Sequence, residues 1–308
     1  MWRTLIINSA QRMRVKDQWI VVENDDGEQR IPVTDLYSVV IDNPQATLSV
    51  SAINTLTENN VHILYCGEKH LPQSLVLPYN THYSPLAVVQ KQLSWTKEFC
   101  DLVWEIIVQR KIENQAAVLR CAGRGHTVSE HLIEFSSQVL PGDPGNREGL
   151  AAKMFFRDLY GSNFVRMSDD GINHALNYGY AILRSSIAKT LCAYGYNPVV
   201  GIHHIGKQNP FNLADDLLEP FRPLVDLWVD RNIEDIGDEL TKDNRRKLIN
   251  LVNEVVEFDG KKTKVRYAID RCVSSLTSAT NQNKPEALKL PTICSATLDE
   301  MRTEWEDD

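Results

Sequence analysis

The sequence predicts an α+β protein of two domains, a small β-rich N-terminal domain followed by a larger all-α domain. Three observations carry this reading. The chain has 308 residues, enough for about two domains of roughly 150 residues each. Its residues are 43% hydrophobic and 24% charged, with 15 Gly and 13 Pro, the profile of a globular chain with ample core. The hydrophobic period also changes from strand-like to helix-like late in the first hundred residues. That places the β-rich domain at 1–78, the helical domain at 79–308, and a linker near 70–85.

In the first part, apolar runs at 19–23 and 29–33 flank Asn24, Asp25, Asp26 and Gly27, a turn cluster that suits a hairpin. Further strands are read at 37–41, 48–50 and 61–65, and Ala52, Ile53 and Leu56 recur at the spacing of a short connecting helix. Beyond the linker, Val89, Leu93, Cys100, Val103 and Ile107 mark one stripe of a long helix that runs towards Cys121. A second helix is expected at 128–140 with Thr127 as its cap, and the Pro-Gly-rich stretch 141–146 is a loop. Helices follow at 147–160 and 171–194, the latter closed by Gly195 and Pro198. The remaining helices are read at 213–229, 245–256 and 268–276, with a hairpin at Asp259-Gly260 and a frayed acidic end at 304–308.

No stretch approaches the roughly 18 apolar residues of a membrane helix, and the opening Met1-to-Ile7 run is too short for a secretory signal. The six cysteines, including Cys294, are widely separated with no C-x-x-C pair, so neither a zinc ribbon nor a thioredoxin-type site is expected. These features predict a cytoplasmic protein. With 33 Lys and Arg against 41 Asp and Glu, the net charge of −8 argues against general affinity for phosphate backbones. Local basic clusters or a bound metal can still bring nucleic acid in. The phosphate loop, the serine-hydrolase elbow, the H-E-x-x-H zinc motif and the dinucleotide fingerprint are all missing, which disfavours the corresponding enzyme classes.

The segment from Gly201 to Arg222 stands out. Asp216 and Glu219 lie three apart and share one helix face beside the apolar Leu213, Leu217 and Phe221. Pro220 has no N–H, so the helix is expected to bend next to the carboxylates. His203 and His204 precede them, close enough for one imidazole to fold back. Imidazole with carboxylates is a workable site for Mg²⁺ or Mn²⁺. On spacing alone, a D-x-x-E pair is also the pattern of a solvated helix face, and a Glu at 148 is favoured in a first helical turn without any function. His62, His70, His82, His126, His131 and His174 show no ligand spacing.

Three blocks together resemble the CRISPR-associated spacer-acquisition integrase family, the metal-dependent nuclease subunit of that adaptation machinery. They are Asn146-Arg147-Glu148-Gly149-Leu150-Ala151-Ala152 followed by Phe155-Phe156, then Asn173-His174-Ala175-Leu176-Asn177-Tyr178-Gly179-Tyr180, then the Gly201-to-Arg222 segment. The resemblance covers roughly residues 140–230 closely. It implies a prokaryotic protein and three metal ligands: Glu148 from the first block, His204 from a G-x-x-H pattern, and Glu219 from a D-L-x-E pattern. Asp216 then serves as a supporting carboxylate. His203 stands where the family usually has an apolar residue and is the alternative imidazole.

The implied chemistry is attack of a 3′-OH on a phosphodiester, inserting short DNA fragments into a repeat array with Mg²⁺ or Mn²⁺ as cofactor. With water as nucleophile the same site is an endonuclease. A metal-dependent phosphodiesterase acting on other nucleic acids and a non-catalytic DNA-recruiting subunit are the alternatives. Candidates for tracking double-stranded DNA are Arg120 with Arg124, the Arg245-Arg246-Lys247 run, and Lys261, Lys262, Lys264 and Arg266. Two strand transfers need two sites, so a homodimer paired through the strand-rich domain is expected, bridged by a second small adaptation subunit. Loss of any single ligand is expected to cost little stability.

Overall fold

The computed structural model describes residues 2–24, 27–67, 70–78 and 82–293. Asp25, Asp26, Cys294 and the acidic end 304–308 lie outside the described residues. The chain opens with β1 (Arg3–Ile7), β2 (Arg12–Lys16), β3 (Trp19–Asn24), β4 (Gly27–Pro32), β5 (Leu36–Ile41) and β6 (Thr47–Leu48). These are followed by α1 (Val50–Glu58), β7 (His62–Cys66) and β8 (Pro72–Val76). Two four-stranded sheets result. One has the order β1-β5-β7-β8, parallel except for β8, and the other the order β4-β3-β2-β6.

Each sheet follows from its side chains. β5 reads Leu-Tyr-Ser-Val-Val-Ile and is buried at all six positions, as the continuous apolar run of a central strand requires. Leu36, Val39 and Ile41 join Ile7, Met13, Ile20 and Leu56 in a small core between the sheets and α1. Tyr37, Val40 and, from β7, Leu64 join the core of the helices instead. The first sheet is therefore apolar towards both neighbours. The expected 70–85 linker contains β8, which pairs antiparallel with β7, so the sheet extends to Val76. Prolines at 72 and 78 read as linker, yet Pro72 only opens an edge strand, where proline is tolerated. Strands β1 and β2, broken by polar residues, were likewise not among the expected runs.

The helical part comprises α2 (Pro85–Leu93), α3 (Lys97–Cys121), α4 (His126–Ser137), α5 (Arg147–Tyr160) and α6 (Gly171–Ala193). Then come α7 (Asn212–Leu218), α8 (Arg222–Arg231), α9 (Lys242–Asn250), the hairpin β9 (Val255–Phe258) and β10 (Lys261–Lys264), and α10 (Val265–Gln282). The single long helix expected from Val89 to Cys121 is two, because the Thr96 side chain accepts a hydrogen bond from the Phe99 N–H at 3.1 Å and starts α3 afresh. Helix α4 opens at His126 behind Gly125, with Thr127 inside its first turn, and stops at Ser137 rather than 140. The expected 213–229 helix is interrupted over Glu219–Phe221 by a 3-10 turn carrying Pro220, as its missing N–H predicts. The β-branched pair Val255 and Val256 leaves α9 and forms β9.

The centre of this domain is α3, whose flanks meet α4, α5, α8 and the 219–221 turn. Helix α6 packs on α8 through Gly179, where a Cβ would overlap Val225 Cγ1. Three separate stretches, the start of α5, the middle of α3 and the 219–221 turn, are thereby brought to one place. Among the described residues no helix is long and apolar enough to cross a membrane.

Candidate active site

The loop before α5 is built to present Glu148. The Asp143 carboxylate accepts hydrogen bonds from the Arg147 N–H at 2.8 Å and the Glu148 N–H at 2.9 Å, and Asn146 caps the helix through Gly149. Glu148 then points across to α3 and pairs with the Lys111 ammonium. The same ammonium pairs with Glu219, whose other oxygen meets Arg222 Nε at 2.9 Å. Burial pushes the Glu219 carboxyl up, but Arg222 and Lys111 outweigh it and hold it down at about 2. Burial likewise disfavours the Lys111 charge, and Glu219 and Glu148 reverse that and raise it. The 3-10 turn is fixed from α3, since Asn114 Nδ2 donates to the Pro220 carbonyl at 2.8 Å.

Asp216 organises the loop before α7. Fully buried, it accepts from the Ile202 N–H at 2.6 Å, the His204 N–H at 3.0 Å and His204 Nδ1 at 2.7 Å. A Cβ at Gly201 would overlap the His204 carbonyl, so this tight path needs glycine. Because a carboxylate only accepts, His204 donates from Nδ1, which in the neutral ring leaves the lone pair on Nε2. The hydrogen bond to Asp216 raises the His204 pKa, against a smaller effect of burial. His203 is placed differently. Its ring stacks flat on Trp104, with centroids 4.1 Å apart and planes 2° apart, and burial lowers its pKa.

Glu148 and Glu219 are thus brought together on one cation. His204 lies near enough to feel the Glu219 charge, and Asp216 stands behind it. Among the described residues no three His, Cys, Asp or Glu side chains close around a single point, the Lys111 ammonium standing between the two glutamates. Two carboxylates that already converge on a cation, with an imidazole beside them, fit a hard divalent ion. Losing Glu219 does not come cheaply here, contrary to the expectation from sequence. The change would leave Arg222 without that partner and Lys111 with Glu148 alone, in a site where Glu219 and Lys111 are both buried.

The site opens into a cleft of about 240 Å³ lined by Lys111, Glu148, Phe156, Arg166, Tyr180 and Arg222, among others. Arg166 and Arg222 both lie over the Tyr180 ring, at 5.5 and 4.6 Å from its centroid. The second sequence block holds this wall. Asn173 and Asn177 each accept a hydrogen bond from the Arg166 guanidinium at 2.7 Å. Deeper in, Tyr180 donates to Asp226, whose carboxyl is pushed up to about 7 by burial.

Lys111, Arg166 and Arg222 were missed as site residues from sequence. Lys111 did carry a signal, a charge set in the apolar stripe of Trp104, Ile107 and Val108 at helical spacing. The DNA candidates divide. Arg120 and Arg246 are exposed, Lys261 and Lys262 are exposed on β10, and Lys247 pairs with Asp243 at 2.8 Å. Arg124 pairs with Asp230 at 3.2 Å. Arg245 and Arg266 are corrected, because both are buried. Arg245 forms an ion pair with Asp42 at 2.9 Å and Arg266 donates to Asn253. Runs of basic residues on a helix do not reveal which member faces inward.

An acidic pair on an arginine-lined cleft, with a pinned imidazole nearby, on helices behind a β-rich domain, is an arrangement able to hold a phosphate group. The family described as CRISPR associated protein Cas1 matches residues 5–140 and 164–248. A relative named CRISPR-associated endonuclease Cas1, from Neisseria meningitidis serogroup C, is 33% identical over 294 residues, covering 95% of this chain and 96% of its own. The chain belongs to the Cas1 family. The fold agrees. A casposase bound to integration product superposes with a TM-score of 0.75 at 21% identity, covering 92% of this chain and 91% of its own. A chain of a Cas6-RT-Cas1–Cas2 complex does so with 0.72 at 18% identity, covering 94% of this chain and 36% of its own.

Proposed function

We propose that the chain is a divalent-metal-dependent DNA endonuclease and integrase of CRISPR adaptation, joining the 3′-OH of a short DNA fragment to a phosphodiester of a repeat array. The observation that carries this is the meeting of Glu148 and Glu219, from sequence blocks about seventy residues apart, on one cation beside the imidazole held by Asp216. Glu148, Glu219 and His204 would hold Mg²⁺ or Mn²⁺, which would supply charge stabilisation at the scissile phosphate. The rest is the work of side chains. Arg166 and Arg222 line the cleft and orient the flanking phosphates, each held by neighbours so that little ordering is needed on binding. Asp216 keeps the Nδ1 proton on His204 and so keeps Nε2 available as a ligand.

One structural neighbour is a casposase bound to an integration product and another is part of a Cas6-RT-Cas1–Cas2 complex, which supports strand joining and a Cas2 partner for this chain. A homodimer paired through the strand-rich domain brings two sites to one insertion. The test is a joining assay with a short duplex, a repeat-containing target and the partner subunit, with and without Mn²⁺. Glu148→Gln, His204→Ala and Glu219→Gln are each expected to abolish joining, and His203→Ala to retain most of it. Unimpaired joining by folded Glu219→Gln, or in excess EDTA, would overturn the reading.

A further inference from the structure

The Lys111 ammonium has no part in the reaction proposed above, yet it occupies the centre of the site. Its side chain is 7% exposed and pairs with Glu148 and with Glu219, itself 6% exposed. A lysine this deep is stable only when its charge is matched. Two carboxylates sharing one site repel each other unless a cation stands between them. Here each requirement meets the other. Glu219 Oε2 is buried and faces the ammonium, with no other polar partner among the described residues. Arg222 cannot replace Lys111 in this, because it engages the other oxygen of Glu219.

We propose that Lys111 is a built-in counter-ion of the acidic pair, holding Glu148 and Glu219 together while no metal is bound and yielding its place between them to the divalent ion. This rests on the metal-site reading above and makes Lys111 a positioning residue. The affinity of the site for metal is then a difference between two cations competing for the same oxygens. The lysine stem is long and flexible and its base sits on the 25-residue helix α3, so the ammonium can withdraw without moving the backbone.

The experiment is a Mn²⁺ titration of chelator-treated full-length protein by calorimetry and thermal shift. Lys111→Met is expected to bind Mn²⁺ about tenfold more tightly than the unaltered chain, to melt lower without metal, and to gain more in Tm when Mn²⁺ is added. Equal or weaker Mn²⁺ binding would overturn the proposal. If Lys111→Met does not fold, lysine acylation of the unaltered chain read by mass spectrometry answers the question: Lys111 is expected to be protected without Mg²⁺ and reactive with it, and equal reactivity overturns the proposal. Glu148→Gln and Glu219→Gln separate the two claims. Loss of Mn²⁺ binding in both, with Lys111→Met unchanged, defeats the counter-ion alone, whereas Mn²⁺ binding that survives in both defeats the metal site itself.

Discussion

Glu219 and Asp226 stand about two helical turns apart in buried surroundings, yet their charges behave in opposite ways. Glu219 has Lys111 and Arg222 in contact and ionises readily, at about 2. Glu219→Ala should therefore cost about 3 kcal/mol or more, whereas Glu219→Gln keeps the shape and costs less, as urea denaturation can resolve. Asp226 has chiefly a phenol as partner, and burial pushes its carboxyl up to about 7. Its folded pKa lies above the roughly 4 of an unfolded aspartate, so the folded state holds the extra proton. Stability then falls as pH rises from about 4 to about 7 and stays low above that. Asp226→Asn keeps an acceptor for Tyr180 and removes this penalty. It should raise Tm at pH 8 and change it little at pH 4.5, a contrast worth at most ~4 kcal/mol. Equal effects at the two pH values would show that the proton is not held.

At the scale of elements, the site depends on how closely α6 approaches α8. Gly179 stands against Val225 Cγ1, and the same α6 carries Asn173, Asn177 and Tyr180 to the cleft. Gly179→Ala must push the two helices apart, at a cost of about 1–3 kcal/mol. Joining should fall more than Mn²⁺ binding, since the arginine wall moves while Glu148 and Glu219, held from α3, stay. A Gly179→Ala chain of unaltered stability would contradict this packing. The 219–221 turn is the second critical element. Pro220 breaks the helix there, and Asn114 holds the turn from α3. The break sets Glu219 towards Lys111 while Asp216, on α7, faces the histidine loop.

For the molecule as a whole, the strand-rich domain is tied to the helices by its own sheet. Tyr37, Val40 and Leu64 enter the helical core, and Arg245 of α9 reaches Asp42 beyond the end of β5. The other sheet exposes the edge strands β4 and β6, backbone rows that a second copy can extend. A homodimer in solution is the expected outcome, with full-site insertion requiring the bridging partner. Light scattering that shows a stable monomer of 35.0 kDa at micromolar concentration would count against it.

What the sequence determined by itself is local. Helix α5 begins and ends where its cap and Gly161 place it, α6 starts at Gly171, and the bend at Pro220 follows from one missing N–H. Glu148, His204, Asp216 and Glu219 could be singled out from sequence because two blocks of family pattern carry them. Tertiary structure alone decided which charges meet. Lys111 and Glu219 are far apart in the chain, and no periodicity reports a pairing across α3 and the 219–221 turn. The same holds for Arg245 turned inward onto Asp42, and for β8, an edge strand recognisable only by its partner β7. Caps, turns and stripes are written within a few residues of where they act. A buried ion pair or a strand pairing exists only once distant segments have packed, and packing decides which of several exposed-looking charges is removed from water.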